Sequence, residues 1–222
     1  MDTSGLTVEK AVARIPPAIG SHIRWWWRLS QGLSRFGANL FWKFRVFGLE
    51  NVPEKGGVLL ASNHQSYLDP VLVAMVLRRE MHFMARRTLF RNPVFRAIIV
   101  SYNAFAIERD SADVKGVKSA IARLEAGNIL LVFPEGTRTG NGSIGPMKSV
   151  GVIAERAAVP IVPVLIQGAY EVWPKGRLIP HVGTISLIFG KPRSPENITG
   201  DAIRDAVVGL KGELSKCRIA SS

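Results

Sequence analysis

At 222 residues and 47% apolar side chains, the chain is long enough for a domain with a full core and too apolar to be disordered. A single cysteine, Cys217, excludes an intramolecular disulfide and a Cys-rich zinc site, and suits a reducing compartment. Lys and Arg total 29 against 17 Asp and Glu, and the resulting +12 points to an anionic partner: nucleic acid, phospholipid or a phosphorylated substrate.

No RNP-like strand, zinc-finger spacing or basic leucine zipper accompanies that charge, so no nucleic-acid partner is expected. No run reaches about 18 apolar residues without a charge, which predicts no transmembrane helix. The opening "MDTSGLTVEKAVARIPPAIG" lacks the basic-then-apolar order of a signal peptide. Residues 1–20 read as a flexible lead-in punctuated by Pro16 and Pro17.

The stretch "SHIRWWWRLSQGLSRFGANLFWKF" comes next. Ile23, Trp26, Leu33 and Leu40 recur at helical spacing. Arg24, Arg28 and Arg35 fall opposite, because two residues turn a helix by about 200°. Trp25, Trp27 and Trp42 lie near the flanks. A helix packed on the protein's own core, its arginines in water, has such a pattern, and so has a helix lying in a membrane surface. The tryptophan cluster and the overall charge favour the membrane.

From residue 44 onward, apolar strands alternate with helices. "FRVFGLEN" reads as an edge strand. "GGVLLAS" (56–62) is a strand followed by a helix near 68–79, and "MHFMAR" (81–86) a strand followed by a helix near 88–100. "AFAI" (104–107) is a strand preceding the helix of "SADVKGVKSAIARLEAG", with Ser111 as its N-cap and Gly127 at its end. "NILLVF" (128–133) is a strand and "VIAERAA" a helix. "PIVPVLI" and "TISLIFG" are strands, and "DAIRDAVVGLKGELSKC" is a closing helix. The order predicts an α/β fold: a single, mostly apolar-stranded sheet covered by helices, preceded by an amphipathic membrane-surface segment. No linker divides residues 44–222, so two parts are expected: a helical segment over 1–43 and one domain over 44–222.

In open α/β sheets, ligands bind beyond the carboxyl ends of strands. "NHQSYLDP" (63–70) and "FPEGTR" (133–138) both follow apolar strands, so both can face one crevice. The His64 imidazole can take a proton from a hydroxyl, and the Asp69 carboxylate can hold its tautomer. Ser66 is nearby, but its surroundings do not resemble a nucleophile elbow, so a substrate hydroxyl is the expected nucleophile. Alone, the pair would read as a loop histidine and a helix N-terminal acid. In "FPEGTR", Gly136 allows close backbone approach, Thr137 can donate to phosphate oxygens, and Arg138 offers a planar fork for an anion. Glu135 can orient that arginine or bond a substrate hydroxyl. By itself this segment would read as a surface turn.

Together the motifs resemble the 1-acyl-glycerol-3-phosphate acyltransferase family of glycerolipid acyltransferases. Asn63, His64 and Asp69 fit its N-H-x-x-x-x-D motif. "AFAIER", with Phe105, Ile107 and Arg109, fits the second motif. "FPEGTR" matches the third unchanged, and "VPIVPV" (159–164) the fourth. All four occur in order over roughly residues 44–192.

The resemblance implies transfer of a fatty acyl group from a thioester, on coenzyme A or acyl carrier protein, to the hydroxyl of lysophosphatidic acid. It makes His64 the general base and Asp69 its orienting partner, with no acyl-enzyme, no metal and no cofactor. Arg109 and Arg138 match the family's phosphate-binding positions. Arg86 and Arg87 stand where relatives often carry lysines. Lys148 is a further substrate-binding candidate, although Met147 replaces the expected Phe and Gly151 is displaced. Other acceptors, such as glycerol-3-phosphate, another lysophospholipid or an acylated amino acid, stay open, as does a non-catalytic lipid-binding role. The family's lipid substrates imply a peripheral or monotopic protein on the cytoplasmic face of an anionic membrane. "VPIVPV" reads as a structural strand whose two prolines suit an edge or a bulge. His82 reads as a core or rim histidine, and His22 and His181 have no comparable partners. Trp173 either lines an acyl tunnel or packs a loop.

Overall fold

The computed structural model describes residues 6–7, 25–107, 113–135, 144, 150–174 and 179–219. Among the described residues, eight strands form one mixed sheet: β1 (Leu6–Thr7), β2 (Trp42–Phe47), β3 (Val58–Ser62), β4 (Met81–Arg86), β5 (Ala104–Ile107), β6 (Ile129–Val132), β7 (Ile161–Gln167) and β8 (Gly183–Phe189). Their spatial order is β1-β2-β8-β7-β3-β6-β4-β5. From β7 to β5 every neighbouring pair is parallel. The direction reverses at β8, which is antiparallel to β7 and parallel to β2.

The helices are α1 (Trp25–Phe41), α2 (Asp69–Ala74), α3 (Pro93–Ser101), α4 (Val114–Glu125), α5 (Val150–Arg156), α6 (Ala169–Val172) and α7 (Gly200–Ile219). Every residue of β3 and β6 is buried, as a strand covered on both faces requires. Alternate side chains feed two cores. Leu60, Leu131, Val162 and Leu187 pack with α1, α2 and α6, while Leu59, Leu130, Ile161 and Ile188 pack with α4, α5 and α7. The α/β architecture expected from the sequence is the one observed.

Several local expectations change. Trp27, expected at a flank of α1, is only 1% exposed and packs into the core together with Ala38. Arg35, placed on the arginine face of α1, is half-buried and its Nε donates to the Met75 carbonyl at 2.7 Å. Burial lowers its pKa from the ordinary guanidinium value. Gln31 Nε2 donates to Ala74 O and Leu77 O at 2.7 and 3.0 Å. The side of α1 that meets the core is therefore largely polar, and it satisfies carbonyls left open at the end of α2. The apolar stripe of Trp25, Leu29, Leu33, Phe36 and Leu40 points outward, each residue more than half exposed. Ile23 and Arg24 lie outside the described residues.

β2 is not an edge strand, because β1 pairs with it inside the expected lead-in. The strand of "VPIVPV" is not at an edge either, since β7 lies between β3 and β8. Pro163 is tolerated there because the β8 ladder starts only at the next residue, with Val164 facing Phe189. The Pro163 carbonyl accepts from Gly190 N at 2.8 Å and pairing resumes between Ile161 and Arg193, so the missing N–H falls at an interruption of the antiparallel pairing, the expected bulge alternative.

The helix expected near 68–79 is the shorter α2. The helix expected near 88–100 divides into a 3₁₀ turn at Arg87–Phe90 and α3, whose N-cap Asn92 accepts from Phe95 N. Asp113 caps α4 by accepting from Gly116 N at 2.8 Å, while Ser111, the expected cap, lies outside the described residues.

Candidate active site

β3 and β6 are parallel neighbours in register, with Ala61 beside Val132. The segments that leave their carboxyl ends must therefore start side by side. Asn63 anchors the first. Its Nδ2 donates to Ile166 O at 2.9 Å, and its Oδ1 accepts from Ile166 N at 2.8 Å. This buried amide behaves as one more rung between β3 and β7.

The chain then wraps around one carboxylate oxygen. Asp69 Oδ2 accepts from Gln65 N at 2.6 Å, from Ser66 N at 2.8 Å and from His64 Nδ1 at 2.8 Å. Asp69 is fully buried at the start of α2, followed by Pro70, a position that suits an acid. A carboxylate oxygen only accepts, so His64 Nδ1 carries the hydrogen and the lone pair of the neutral ring sits on Nε2. The ring stacks on Phe133, the first residue of "FPEGTR", with centroids 4.1 Å apart and planes at 22°. The two motifs thus meet through His64 and Phe133.

His64 opens onto a cavity of about 1370 Å³, above the roughly 300–1,000 Å³ typical of small-molecule pockets. Apolar side chains dominate its walls, among them Trp27, Met81, Phe83, Ile99 and Tyr102. Trp26 and Trp27 contact the Tyr102 ring at 4.9 and 5.4 Å between centroids, joining α1 to the end of α3. Such a chamber suits a long apolar chain.

Ser66 is held structurally. Its Oγ donates to the Trp173 carbonyl at 3.2 Å and accepts from Leu68 N at 3.3 Å. Trp173 both backs this loop and lines the cavity. Gly168, at the start of α6, has φ +88°, and an added Cβ would fall 2.0 Å from Thr184 O. Only glycine turns the chain there and carries it to Trp173.

Arg86, at the end of β4, is exposed and lines the cavity. Arg87 opens the 3₁₀ turn and is also exposed. Glu135 is half-buried just beyond β6. Arg109, Gly136, Thr137, Arg138 and Lys148 lie outside the described residues, as does His22. His82 is half-buried in β4. His181 ties a loop, its N donating to Val172 O at 2.7 Å and its carbonyl accepting from Trp42 Nε1 at 2.8 Å. Sequence reasoning missed the roles of Phe133 and Asn63. The signal for each was its position immediately after an apolar strand.

Residues 43–167 match the sequence model of the Acyltransferase family, and the chain belongs to that family. It is 30% identical over 150 residues to the 1-acyl-sn-glycerol-3-phosphate acyltransferase of Bacillus subtilis, spanning 67% of this chain and 72% of that protein. A chloroplastic 1-acyl-sn-glycerol-3-phosphate acyltransferase of Brassica napus is 30% identical over 158 residues, which span 68% of this chain but 45% of the plant protein. The crystal structure of the 1-acyl-sn-glycerophosphate acyltransferase of Thermotoga maritima superimposes with a TM-score of 0.74 at 27% identity. It covers 85% of this chain and 79% of that one.

Proposed function

We propose that this protein transfers a fatty acyl group from an acyl thioester to the free hydroxyl of lysophosphatidic acid, giving phosphatidic acid at a membrane surface. The observation that carries the reading is the 2.8 Å bond from His64 Nδ1 to the buried Asp69, made at the wall of a large apolar cavity. It orients Nε2 as the proton acceptor. The acceptor hydroxyl gives its proton to Nε2 while its oxygen forms a bond to the thioester carbonyl carbon. The tetrahedral intermediate expels the thiolate, which takes the proton back from the imidazolium. Asp69 stabilises that imidazolium between the two steps.

With Ser66 Oγ already bonded on both sides, direct transfer needs no acyl-enzyme. A positioned base supplies about 10²–10⁴ in rate, so positioning of the acceptor must contribute as well. Arg86, Arg87, Arg109, Arg138 and Lys148 are the candidate phosphate ligands, and Glu135, Gly136 and Thr137 are further substrate-binding candidates. Residues 1–43 serve as the membrane-associating segment and residues 44–222 as the acyltransferase domain. The outward stripe of α1 supports a peripheral or monotopic placement, and no described helix is long and apolar enough to cross a membrane.

The test is an assay matrix of purified protein with several lyso-acceptors, glycerol-3-phosphate and both thioester carriers, read by mass spectrometry. Phosphatidic acid formed fastest from lysophosphatidic acid supports the reading. Faster turnover of another acceptor, or no turnover, overturns it.

A further inference from the structure

Across the cavity from α1, the segment 87–100 is unusually bare. Of the nine residues of α3, "PVFRAIIVS", Ile99 alone is buried. Val94 is 69% exposed and Ile98 49%, with Phe95, Val100 and Leu89 also exposed. A helix apolar around most of its circumference is stable when something covers it, in a core or in lipid. No described element does so, and a patch of this kind marks an interaction site.

Charge identifies the cover. Residues 81–107 hold Arg86, Arg87, Arg91 and Arg96 and not one Asp or Glu. All four arginines are exposed. Exposed aliphatics interleaved with arginines, without a single acid, match the interface of an anionic bilayer: acyl chains for the former, phosphates for the latter. The patch also adjoins α1, because Tyr102 at the end of α3 packs on Trp26 and Trp27. Leu89, Phe95 and Ile98 are at once exposed and part of the cavity wall.

We propose that the segment 87–100 is a second membrane-contacting surface. Val94 and Ile98 insert among acyl chains, and Arg91 and Arg96 meet anionic headgroups. The cavity then opens toward the bilayer between α1 and α3, straddled by two contacts. The inference rests on the reading that the protein works at a membrane surface.

The experiment uses the full chain with Cys217→Ser and either Val94→Cys or Leu33→Cys, each labelled with an environment-sensitive dye. Vesicles of phosphatidylcholine with or without phosphatidylglycerol are added. A blue shift at both positions with anionic vesicles supports the proposal. A shift at Leu33 alone overturns it and leaves α1 as the anchor. No shift at either overturns it too. A shift at Val94 without vesicles, produced by raising the protein concentration or by adding an acidic acyl carrier protein, assigns the patch to a protein and overturns it. The unlabelled double variant Arg91→Glu, Arg96→Glu should bind the same vesicles at least roughly tenfold more weakly, with an unchanged melting curve. Unchanged affinity overturns the proposal. Turnover in detergent separates the two readings. It should stay within about twofold in the double variant, and a collapse there would place these arginines in the substrate site and overturn the membrane role. Absence of turnover in the unmodified protein would instead sink the functional reading and leave the dye result standing.

Discussion

Arg35 on α1 donates to the carbonyl of Met75, the residue that ends the helix begun by Asp69. One short helix thus carries the carboxylate of the proposed catalytic pair at one end and is clasped at the other by the helix that bears the outward apolar stripe. Gln31 adds two further bonds to the same end. The surface helix and the active site are therefore joined by direct hydrogen bonds across a single helix length.

Arg35→Ala should remove a charge-assisted bond to a carbonyl that has no other described donor. The expected loss is about 1–3 kcal/mol in urea unfolding, with Arg35→Lys recovering only part because its ammonium lacks the Nε geometry. A variant as stable as the parent would show that the clasp contributes nothing.

His64→Ala should leave the fold intact and lower kcat by about 10²–10⁴. Asp69→Asn should lower kcat comparably and in addition destabilise the fold by about 1–3 kcal/mol. A neutral amide oxygen in place of Oδ2 gives its three converging donors weaker, uncharged bonds. Paired stability and rate measurements check the contrast. Equal stability of the two variants would contradict it.

Arg138→Ala should raise KM for the phosphorylated acceptor far more than KM for the acyl donor, if its guanidinium grips phosphate. Steady-state kinetics with each substrate varied in turn measure this. Equal effects on both would argue against a phosphate clamp.

Leu33→Ser with Phe36→Ser should weaken binding to anionic vesicles while shifting stability by no more than about 0.5 kcal/mol, since both side chains are largely exposed. Removing residues 1–43 altogether is a poorer test. That cut deletes Trp27 from the core and the first two residues of β2. Flotation with vesicles and thermal melts of the double variant check both halves of the expectation.

The sheet was readable because its strands are short apolar runs bounded by turn residues, and β4 and β5 begin and end where the sequence places them. His64, Asp69 and their neighbourhood with "FPEGTR" were readable because parallel strands deliver their following loops to one edge. The orientation of α1 was not. Helical periodicity shows that two faces exist but not which one meets the protein, and here hydrogen bonds from Gln31 and Arg35 outweighed the apolar stripe. Pro163 was readable in part: its strand is interior, but the proline sits where the antiparallel pairing is interrupted between Ile161–Arg193 and Val164–Phe189, the bulge that such a residue suits.

The pairing of β2 with β8 sets an order of events in synthesis. Trp42 through Phe47 find their parallel neighbours at Gly183 through Ile188, with the five strands β3 to β7 made in between. On a ribosome, that seam closes only after those strands have emerged. The apolar flank of α1 is made long before the strand that follows it meets its parallel partner β8. Under the proposed membrane role, a nascent chain would meet lipid first and complete its sheet there.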